Sequence, residues 1–332
     1  MKSFTNANVT AFEEAVTLSR ETRRDGRSPV FSGGGSDLLG LVKDRITSPD
    51  VLVNLRGVEG QDRVTDVSEG VRIGGLITLD ALSREVSIRE KFPVLAQAAS
   101  TVATPQIRNV GTLAGNLCQR PWCWYFRNGF HCYKAGGNQC FSPTGENQFH
   151  ALFGGGPSYI VHPSDTAPAL VALDSSIQIV GPEGEREVPA AGFFTLPRVT
   201  PERENVLAPD EVVASVTIPR LPVGSRSLYH KVMDREAWTH AIVSVAVVVQ
   251  FEDQVCRRAR IVLGGVAPTP WRVPDAEAVL LGQPLTPTVA AAAAEQAVAG
   301  ARPLSKNGYK VALTRAAVER ALAMLGDRGQ GD

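Results

Sequence analysis

Four of the chain's five cysteines lie within one short stretch, "NLCQRPWCWYFRNGFHCYKAGGNQC", residues 116–140. Cys118, Cys123, Cys132 and Cys140 are spaced C-x4-C-x8-C-x7-C. Such a set of thiols can form disulfides, hold a zinc ion or bind an iron–sulfur cluster. Zinc sites usually contain paired C-x2-C knuckles, which this stretch lacks. The cysteines alone leave the choice open, and the rest of the chain has to decide it.

Composition narrows the classes of protein to which the chain can belong. The 332 residues carry 34 Lys plus Arg and 34 Asp plus Glu, so the formal net charge is zero. We expect no nucleic-acid partner, because nucleic-acid-binding surfaces usually show a basic excess. The apolar run "HAIVSVAVVVQF" is too short to cross a bilayer, so we expect no membrane partner.

The N-terminal segment "MKSFTNANVTAFEEAV" carries acidic residues and lacks the apolar core of a signal peptide. This pattern predicts a cytoplasmic protein, with periplasmic export in company with another subunit as the alternative. Cytoplasmic thiols stay reduced, which disfavours disulfides.

The order of the predicted elements divides the chain into three regions. Thr10 and Glu13 form a predicted capping box for a helix that ends near Gly26. A strand, a glycine-rich loop, a second helix and the strand "DVLVNL" follow. Two hairpins are predicted farther on, at Glu69 and around Gly184, and the last third predicts long strands followed by helices. The predicted boundaries are 1–57, 58–222 and 225–326.

A glycine-rich loop, "FSGGGSDLL", lies between the predicted strand and helix of the first region. Consecutive glycines let backbone N–H groups approach an anion without Cβ clashes, and Ser36 can cap the helix or donate to a phosphate oxygen. The pattern is neither G-x-G-x-x-G nor a Walker loop, which excludes the ordinary Rossmann and P-loop interpretations. A plain turn is the alternative.

Two later segments favour a dinucleotide site. "TPQIRNVGTLAGN", residues 104–116, is rich in small and hydrogen-bonding residues. "HPSDTAPAL", residues 162–170, places Ser164 and Asp165 at the start of a predicted helix. An Asp in such a place is a common partner for a ribose hydroxyl, although it can equally cap the helix.

Taken together, these stretches resemble the FAD-binding subunit of the molybdenum hydroxylases, a family that includes the flavin domain of xanthine dehydrogenase. "SGGGSDLL" is similar to the first flavin motif of the family and "GTLAGN" to the second, while "YHKVMDREAWTHAIVSVAV" and "LGGVAPTPWR" resemble its C-terminal domain. The resemblance implies an α+β protein. Residues 1–57 and 58–222 would be two subdomains of an FAD-binding α/β fold related to that of vanillyl-alcohol oxidase. Residues 225–326 would form a C-terminal α+β domain with an antiparallel sheet.

The resemblance also implies which residues contact FAD. Gly33, Gly34, Gly35 and Ser36 would hold the pyrophosphate, and Asp165 would bind the ribose or ribityl side. Lys231 would approach the flavin, where an ammonium would stabilise the negative charge of the reduced ring. The remaining residues implied in cofactor binding are Ser32, Asp37, Leu38, Thr104, Arg108, Gly111, Thr112, Gly115 and Asn116.

The cysteine stretch is explained by the same resemblance. In most of the family the second motif is followed closely by the Asp-bearing segment, but here Asn116 and Asp165 are 49 residues apart. An insertion at about 117–160 resembles two branches whose flavin subunit carries an extra [4Fe–4S] cluster, 4-hydroxybenzoyl-CoA reductase and the aldehyde oxidoreductases. The resemblance implies Cys123, Cys132 and Cys140 as cluster ligands.

The fourth ligand departs from those branches, because Ser158 occupies the position of their fourth cysteine. Cys118 is the obvious substitute, while a serine alkoxide ligand, a three-iron cluster and no cluster at all stay open. Aromatic side chains of the loop would be buried and shield the cluster: Trp122, Trp124, Tyr125 and Phe126. We interpret the nearby histidines as structural groups and Cys256 as a buried small hydrophobe; the histidines are His131, His150 and His162.

No Ser-His-Asp arrangement, H-E-x-x-H motif or catalytic carboxylate pair stands out. The resemblance implies that substrate reacts at a molybdenum cofactor on a large partner subunit. Electrons would pass through [2Fe–2S] clusters of a small partner subunit to FAD on this chain, and the extra cluster would extend the route. The alternatives are a self-contained FAD oxidoreductase, a metal-bound structural subunit without flavin and a zinc-binding interaction module.

Overall fold

The N-terminal region forms a three-stranded parallel sheet in the computed structural model, which describes residues 2–236 and 240–327. Its elements are β1 (Thr5–Asn8), α1 (Phe12–Arg24), β2 (Pro29–Ser32), α2 (Leu38–Lys43) and β3 (Val51–Asn54). The strand order is β1-β3-β2, so the glycine-rich loop leaves the carboxyl end of an edge strand. The predicted capping box was wrong in its partner: the Thr10 N–H and hydroxyl donate to Glu14, one residue beyond Glu13, and Ala11 precedes the helix.

The middle region is built on a five-stranded antiparallel sheet with the strand order β4-β5-β8-β6-β7. Its elements are β4 (Val64–Val67), β5 (Gly70–Gly74), α3 (Leu79–Arg84), α4 (Val86–Lys91), α5 (Pro93–Ser100), α6 (Pro105–Arg108), α7 (Leu113–Leu117), α8 (Trp124–Arg127), α9 (Thr166–Ala172), β6 (Ser176–Gly181), β7 (Gly184–Pro189), α10 (Ala190–Phe193) and β8 (Val212–Pro219). Both predicted hairpins are confirmed, because Val67 pairs with Gly70 and Gly181 pairs with Gly184.

The C-terminal region contains a four-stranded antiparallel sheet with the strand order β12-β11-β10-β9. Its elements are β9 (Ser225–Val232), β10 (Val243–Glu252), β11 (Val255–Gly264), β12 (Trp271–Arg272), α11 (Pro274–Leu280), α12 (Pro287–Val298) and α13 (Tyr309–Asp327). The predicted α+β class and the antiparallel sheet are confirmed. Cys256 is buried in the apolar core, as expected.

Both faces of this last sheet are buried, which explains the unbroken apolar run in β10. Val245 and Val247 belong to the core beneath α11, α12 and α13, whereas Ala246 and Val248 belong to the core that includes α5 and α9. Successive strand residues point to opposite faces, so a strand with two covered faces needs apolar residues at every position. The C-terminal sheet is therefore held against the middle region, next to the cavity described below.

Within the described part of the chain, no helix combines the length and apolarity that crossing a membrane requires.

Candidate functional site

The two glycine-bearing segments interlock at the carboxyl end of β2. A Cβ atom on Gly34 would lie 1.9 Å from the carbonyl oxygen of Val110, and one on Gly33 would lie 2.7 Å from Oγ1 of Thr112. Gly35 has a φ of +71°, in the left-handed region that favours glycine. Glycine is therefore required here for close backbone approach and for an unusual turn, and the first two glycines pack directly against the second motif.

These segments form one wall of a cavity of about 780 Å³. The cavity is lined by twelve of the fifteen residues implied in cofactor binding: Ser32, Gly33, Gly34, Gly35, Ser36, Asp37, Leu38, Gly111, Thr112, Gly115, Asn116 and Asp165. Its size is typical of clefts that enclose cofactors, and small residues on one wall leave room for a diphosphate next to the backbone. The residues present therefore fit FAD.

Three predicted contact residues do not line the cavity. The Thr104 hydroxyl caps α6 by accepting from the Ile107 N–H at 3.4 Å, and the Arg108 guanidinium donates to the Val102 carbonyl at 2.7 Å. Both residues brace a segment of which other members, including Ile107, reach the cavity. Lys231 also does not line the cavity, and its ion pair with Asp165 is described below.

Asp37 ties the glycine-rich loop to the cysteine stretch. One carboxylate oxygen accepts from the Arg120 backbone N–H at 2.9 Å, and the other forms an ion pair with the Arg127 guanidinium at 2.7 Å. The Arg127 side chain is only 8% exposed, so solvent weakens this pair less than it weakens a surface pair. Asp37 thus joins two segments that are far apart in sequence.

Asn116 joins the second motif to the Asp-bearing segment. Its side-chain oxygen accepts from the Ser164 hydroxyl at 2.6 Å and from the Thr166 hydroxyl at 2.7 Å. All three residues are buried, so these hydrogen bonds satisfy polar groups that water does not reach. This arrangement fixes Asp165, which lies between Ser164 and Thr166, on the cavity wall.

Asp165 and Lys231 form a buried ion pair. Lys231 Nζ lies 2.8 Å from Oδ2 of Asp165, and the Tyr229 hydroxyl donates to Oδ1 at 2.7 Å. The Lys231 and Asp165 side chains are 1% and 5% exposed, and Lys231 also donates to the Thr101 carbonyl at 2.9 Å. Burial raises the pKa of Asp165, and Lys231 opposes that shift. Asp165 therefore faces the cavity, while the lysine of β9 holds it from the C-terminal region.

Several cavity residues were missed in the sequence. The segment before Asp165 contributes Ile160, Val161 and His162, and the C-terminal region contributes a further set: Asp234, Arg235, His240, Ala241 and Ile242. These residues belong to loops with no phosphate-binding or metal-binding pattern, so only the packing of the C-terminal sheet brings them to the site.

His162 is buried beside the cavity. Its burial predicts that the free energy of unfolding depends on pH. Burial lowers its pKa from 6.5 to about 3. Between these values the unfolded chain binds a proton that the folded chain does not, so stability falls as pH drops below 6.5 and levels off near 3. The expected slope is about 1.4 kcal/mol per pH unit. Urea unfolding of the FAD-free chain should lose about this much slope in His162→Gln, while the buried His150 and His240, whose pKa values are also lowered, keep slopes of their own. Equal slopes in the two proteins would contradict the assignment.

The four cysteines of residues 116–140 separate into a group of three and one outlier. Cys132 is buried with Leu41 and Phe126 in a small apolar cluster against which Cys123 packs. Burial is the main reason why the pKa of the Cys123 thiol rises to about 11, and the nearby thiols of Cys140 and Cys132 add to the shift.

Cys118 instead packs against the main core, where burial raises the pKa of its thiol to about 12. Like Cys123, it lines the FAD-sized cavity. The structure thus brings Cys123, Cys132 and Cys140 together and leaves Cys118 elsewhere.

The expectation of a buried aromatic shield was wrong for Trp122 and Trp124, and Tyr125 is only partly buried. Phe126 is buried, but Trp122 and Trp124 are 49% and 50% exposed and lie at the cavity. The Arg127 guanidinium covers the Trp122 ring at 4.3 Å from its centre, a cation–π contact. Trp122 and Trp124 therefore line the cavity with about half of their surface exposed, and the apolar cover of the thiols comes from Phe126 and Phe141.

Buried ion pairs hold the irregular cysteine stretch in place. Lys134 Nζ lies 2.9 Å from the Glu204 carboxylate and donates to the Arg203 carbonyl at 2.7 Å, with the Lys134 side chain 1% exposed. Arg120 reaches the same carboxylate at 2.8 Å. A long loop without regular structure needs such partners for its polar groups. These contacts fix the positions from which the three thiols project.

The structure does not confirm the expected metal site. Across residues 2–236 and 240–327, no group of three or more His, Cys, Asp or Glu side chains is arranged to hold a metal ion. The chain supplies three neighbouring thiols, and its other two cysteines belong to other cores. A [4Fe–4S] cluster usually takes four thiolates, so the expected cluster stays a prediction.

Known proteins share the whole architecture. Residues 2–221 match the family profile of the FAD binding domain in molybdopterin dehydrogenase, and residues 228–325 match that of the CO dehydrogenase flavoprotein C-terminal domain. The chain is 36% identical to the aldehyde oxidoreductase FAD-binding subunit PaoB of Escherichia coli K12, over 97% of this chain and 98% of PaoB. It is 29% identical to the nicotine 6-hydroxylase medium subunit of Paenarthrobacter nicotinovorans, over 90% and 86%.

A solved structure agrees with these matches. A chain of the carbon monoxide dehydrogenase from Hydrogenophaga pseudoflava superimposes with a TM-score of 0.77 at 26% identity, over 98% of both chains. The family profile covers most of the chain, and twelve of the residues implied in FAD binding line one cavity. The protein therefore belongs to the FAD-binding subunits of the molybdenum hydroxylases.

Proposed function

We propose that this chain is the electron-transfer subunit of a three-part molybdenum hydroxylase and holds FAD in the cavity between the two interlocked motifs. The observation that carries the proposal is the contact of Gly34 with Val110, which builds a backbone-lined wall at a cavity of about 780 Å³. Released flavin, measured by absorbance near 450 nm and by chromatography of the purified protein, tests it. A colourless preparation from a folded, assembled complex would argue for a structural subunit without flavin.

When bound, FAD supplies the exchange between one-electron carriers and two-electron donors or acceptors. The residues of this chain hold it and set its surroundings. We assign the diphosphate to the backbone amides of residues 33–36 and a ribose or ribityl hydroxyl to Asp165, which Lys231 and Tyr229 keep in position. Trp122 and His240, whose ring centres lie 5.1 Å apart, would limit the access of water to the cofactor.

The substrate chemistry is assigned to partner subunits. Relatives of this chain are named as medium subunits or medium chains, which supports a place between a large and a small subunit. We propose a molybdenum-cofactor large subunit and a [2Fe–2S] small subunit as partners. Purification of this chain with its neighbours, followed by assays of molybdenum, iron and sulfide, tests that assembly. Cytoplasmic location, with co-export as the alternative, stays a prediction.

We further propose that Cys123, Cys132 and Cys140 hold an iron–sulfur cluster of the [4Fe–4S] type. Mutual proximity of the three thiols and their apolar cover support this assignment. A cluster in this loop would supply one-electron transfer close to the flavin. Neither Cys118 nor Ser158 is needed for the three-thiolate set, and Cys118 packs against a different core.

Cys132→Ala is expected to abolish the visible and EPR signals of the cluster while FAD stays bound, because Cys132 belongs to the thiol group and does not line the cavity. Cys118→Ser is the matched control, since it removes a thiol of the same stretch. Iron and flavin per chain, measured on both variants, check the assignment. Full iron content in Cys132→Ala, or its loss in Cys118→Ser, would show that the ligand set is different.

A further inference from the structure

Lys310 is buried behind the wall of the cavity. It lies in the first turn of α13 and is 1% exposed. Its Nζ atom donates to the Gly265 carbonyl at 2.6 Å, to the His150 carbonyl at 3.2 Å and to the Phe149 carbonyl at 3.3 Å. These three carbonyls belong to residues that line the cavity, whereas Lys310 itself does not line it. One ammonium group therefore joins two separate segments of the cavity wall.

Neighbouring contacts brace the same two segments. The Asn307 side chain, which is fully buried, donates to the His150 carbonyl at 3.0 Å. Gly265 has a φ of +72°, and a Cβ atom there would lie 2.6 Å from the Ala241 carbonyl oxygen. Ala241 also lines the cavity. The contacts of Lys310 thus hold a wall that continues into the lining contributed by the C-terminal region.

The number of donors makes the charge of Lys310 important. A protonated ammonium group has three N–H donors and no acceptor, which matches the three carbonyls one to one. A neutral amine has two N–H donors and a lone pair. One buried carbonyl would then lose its donor and face that lone pair, an arrangement that costs free energy. Only the charged form of Lys310 satisfies all three carbonyls of the wall.

The surroundings of Lys310 do little to stabilise this charge. Burial lowers its pKa from 10.5 to about 7, and no carboxylate in the described part of the chain opposes the shift. The His150 ring is neutral near pH 7, because burial and the charge of Lys310 lower its pKa to about 4. Residues 264–267 carry no ionisable side chain. Lys306 and Glu146, on the adjoining loops, pair with each other at the surface.

The other charges on the packed elements have their own neighbours. Arg315 and Arg320 lie five and ten residues farther along α13. Arg315 pairs with Glu295 of α12, and Arg320 lies near His230 of β9, whose pKa it helps to lower after burial. In β10 the only charged residue, Glu252, is at the far end of the strand and pairs with Arg257. Protonation of Lys310 is therefore balanced near neutral pH.

We propose that the charge of Lys310 positions this wall for FAD, so that the cofactor binds tightly to the protonated form and weakly to the neutral form. The inference rests on the FAD site proposed above. Lys310 is a positioning residue, since it acts through the three carbonyls. Binding and protonation are then linked: FAD raises the pKa of Lys310, and the dissociation constant of FAD rises as the pH increases above about 7.

FAD titration of the FAD-depleted full-length chain, followed by flavin fluorescence from pH 6 to pH 9, tests this inference. The dissociation constant is expected to level off below pH 7 and to rise above it, by at most about tenfold per pH unit for one proton. Lys310→Met is expected to bind weakly at every pH, without this rise. Lys306→Met is the matched control: Lys306 is 44% exposed on the adjoining loop, and its loss should leave affinity and pH profile unchanged.

A second measurement needs no variant. Calorimetric titration of the unmutated chain in buffers of different ionisation enthalpy should show proton uptake with FAD at pH 8 and almost none at pH 6. An affinity that is constant from pH 6 to pH 9 without proton uptake, or an undiminished pH dependence in Lys310→Met, would overturn the role of Lys310. A folded chain that binds no FAD at any pH would instead refute the proposed function itself, a distinct result.

Discussion

Gly34→Ala is expected to weaken FAD binding strongly. The added Cβ would lie 1.9 Å from the Val110 carbonyl oxygen and 2.9 Å from Cα of Gly111, and both neighbours are backbone atoms. The second motif would have to move away, which opens the wall that we assign to the diphosphate. We expect at least about a tenfold loss of FAD affinity, equivalent to about 1.4 kcal/mol. Flavin released per chain, and FAD titration of the FAD-free protein, measure the effect.

Gly40→Ala is the control for that variant. Gly40 lies in α2, a few residues from the glycine-rich loop, and a Cβ there would meet no atom within 4 Å. Alanine in a helix is favoured over glycine by about 0.5–1 kcal/mol, so this change should leave FAD content intact and stability equal or higher. If Gly34→Ala binds FAD as tightly as Gly40→Ala does, the close backbone contact of Gly34 is not required for cofactor binding.

Lys231→Met is expected to destabilise the fold strongly. The change removes the cation beside buried Asp165 and leaves a charge without compensation, a loss of about 3–5 kcal/mol. Burial already raises the pKa of Asp165, and removal of Lys231 should raise it further. The penalty should therefore shrink as the pH falls and Asp165 takes up a proton. Urea unfolding at pH 8 and pH 5 measures both effects.

Two comparisons make this result specific. Lys91→Met breaks an ion pair with Asp66 in which both side chains are at least half exposed, so a cost below about 1 kcal/mol is expected. The double variant Asp165→Asn with Lys231→Met should regain part of the lost stability, because it no longer buries an unpaired charge. A Lys231→Met protein as stable as Lys91→Met would mean that the pair does not hold the two regions together.

Local patterns in the sequence were sufficient for most of the fold. The strand, glycine-rich loop and helix of residues 29–43, both hairpins of the middle region and the long C-terminal strands follow from periodicity and turn residues, which act over short distances. The apolar run of β10 indicated a strand but not that each of its two faces packs against a different core. Only the packed structure shows Val247 and Ala246 in different cores.

The cofactor wall was predictable because its parts are sequence motifs, whereas the contacts between segments were not. The ion pair of Asp37 with Arg127 spans 90 positions, and that of Asp165 with Lys231 spans 66. Asp37 and Asp165 were predicted to contact the cofactor, and in the structure each also forms an ion pair within the chain. His150 was interpreted as a structural histidine, since a lone histidine gains meaning only from what surrounds it.

A structure of the FAD-loaded complex tests the central claim most directly. The account predicts the diphosphate of FAD within hydrogen-bonding distance of the backbone amides of residues 33–36, with the flavin in the cavity that Asp165 and Trp122 line. Well-defined density for FAD at any other place, with those amides bonded only to protein, would contradict it.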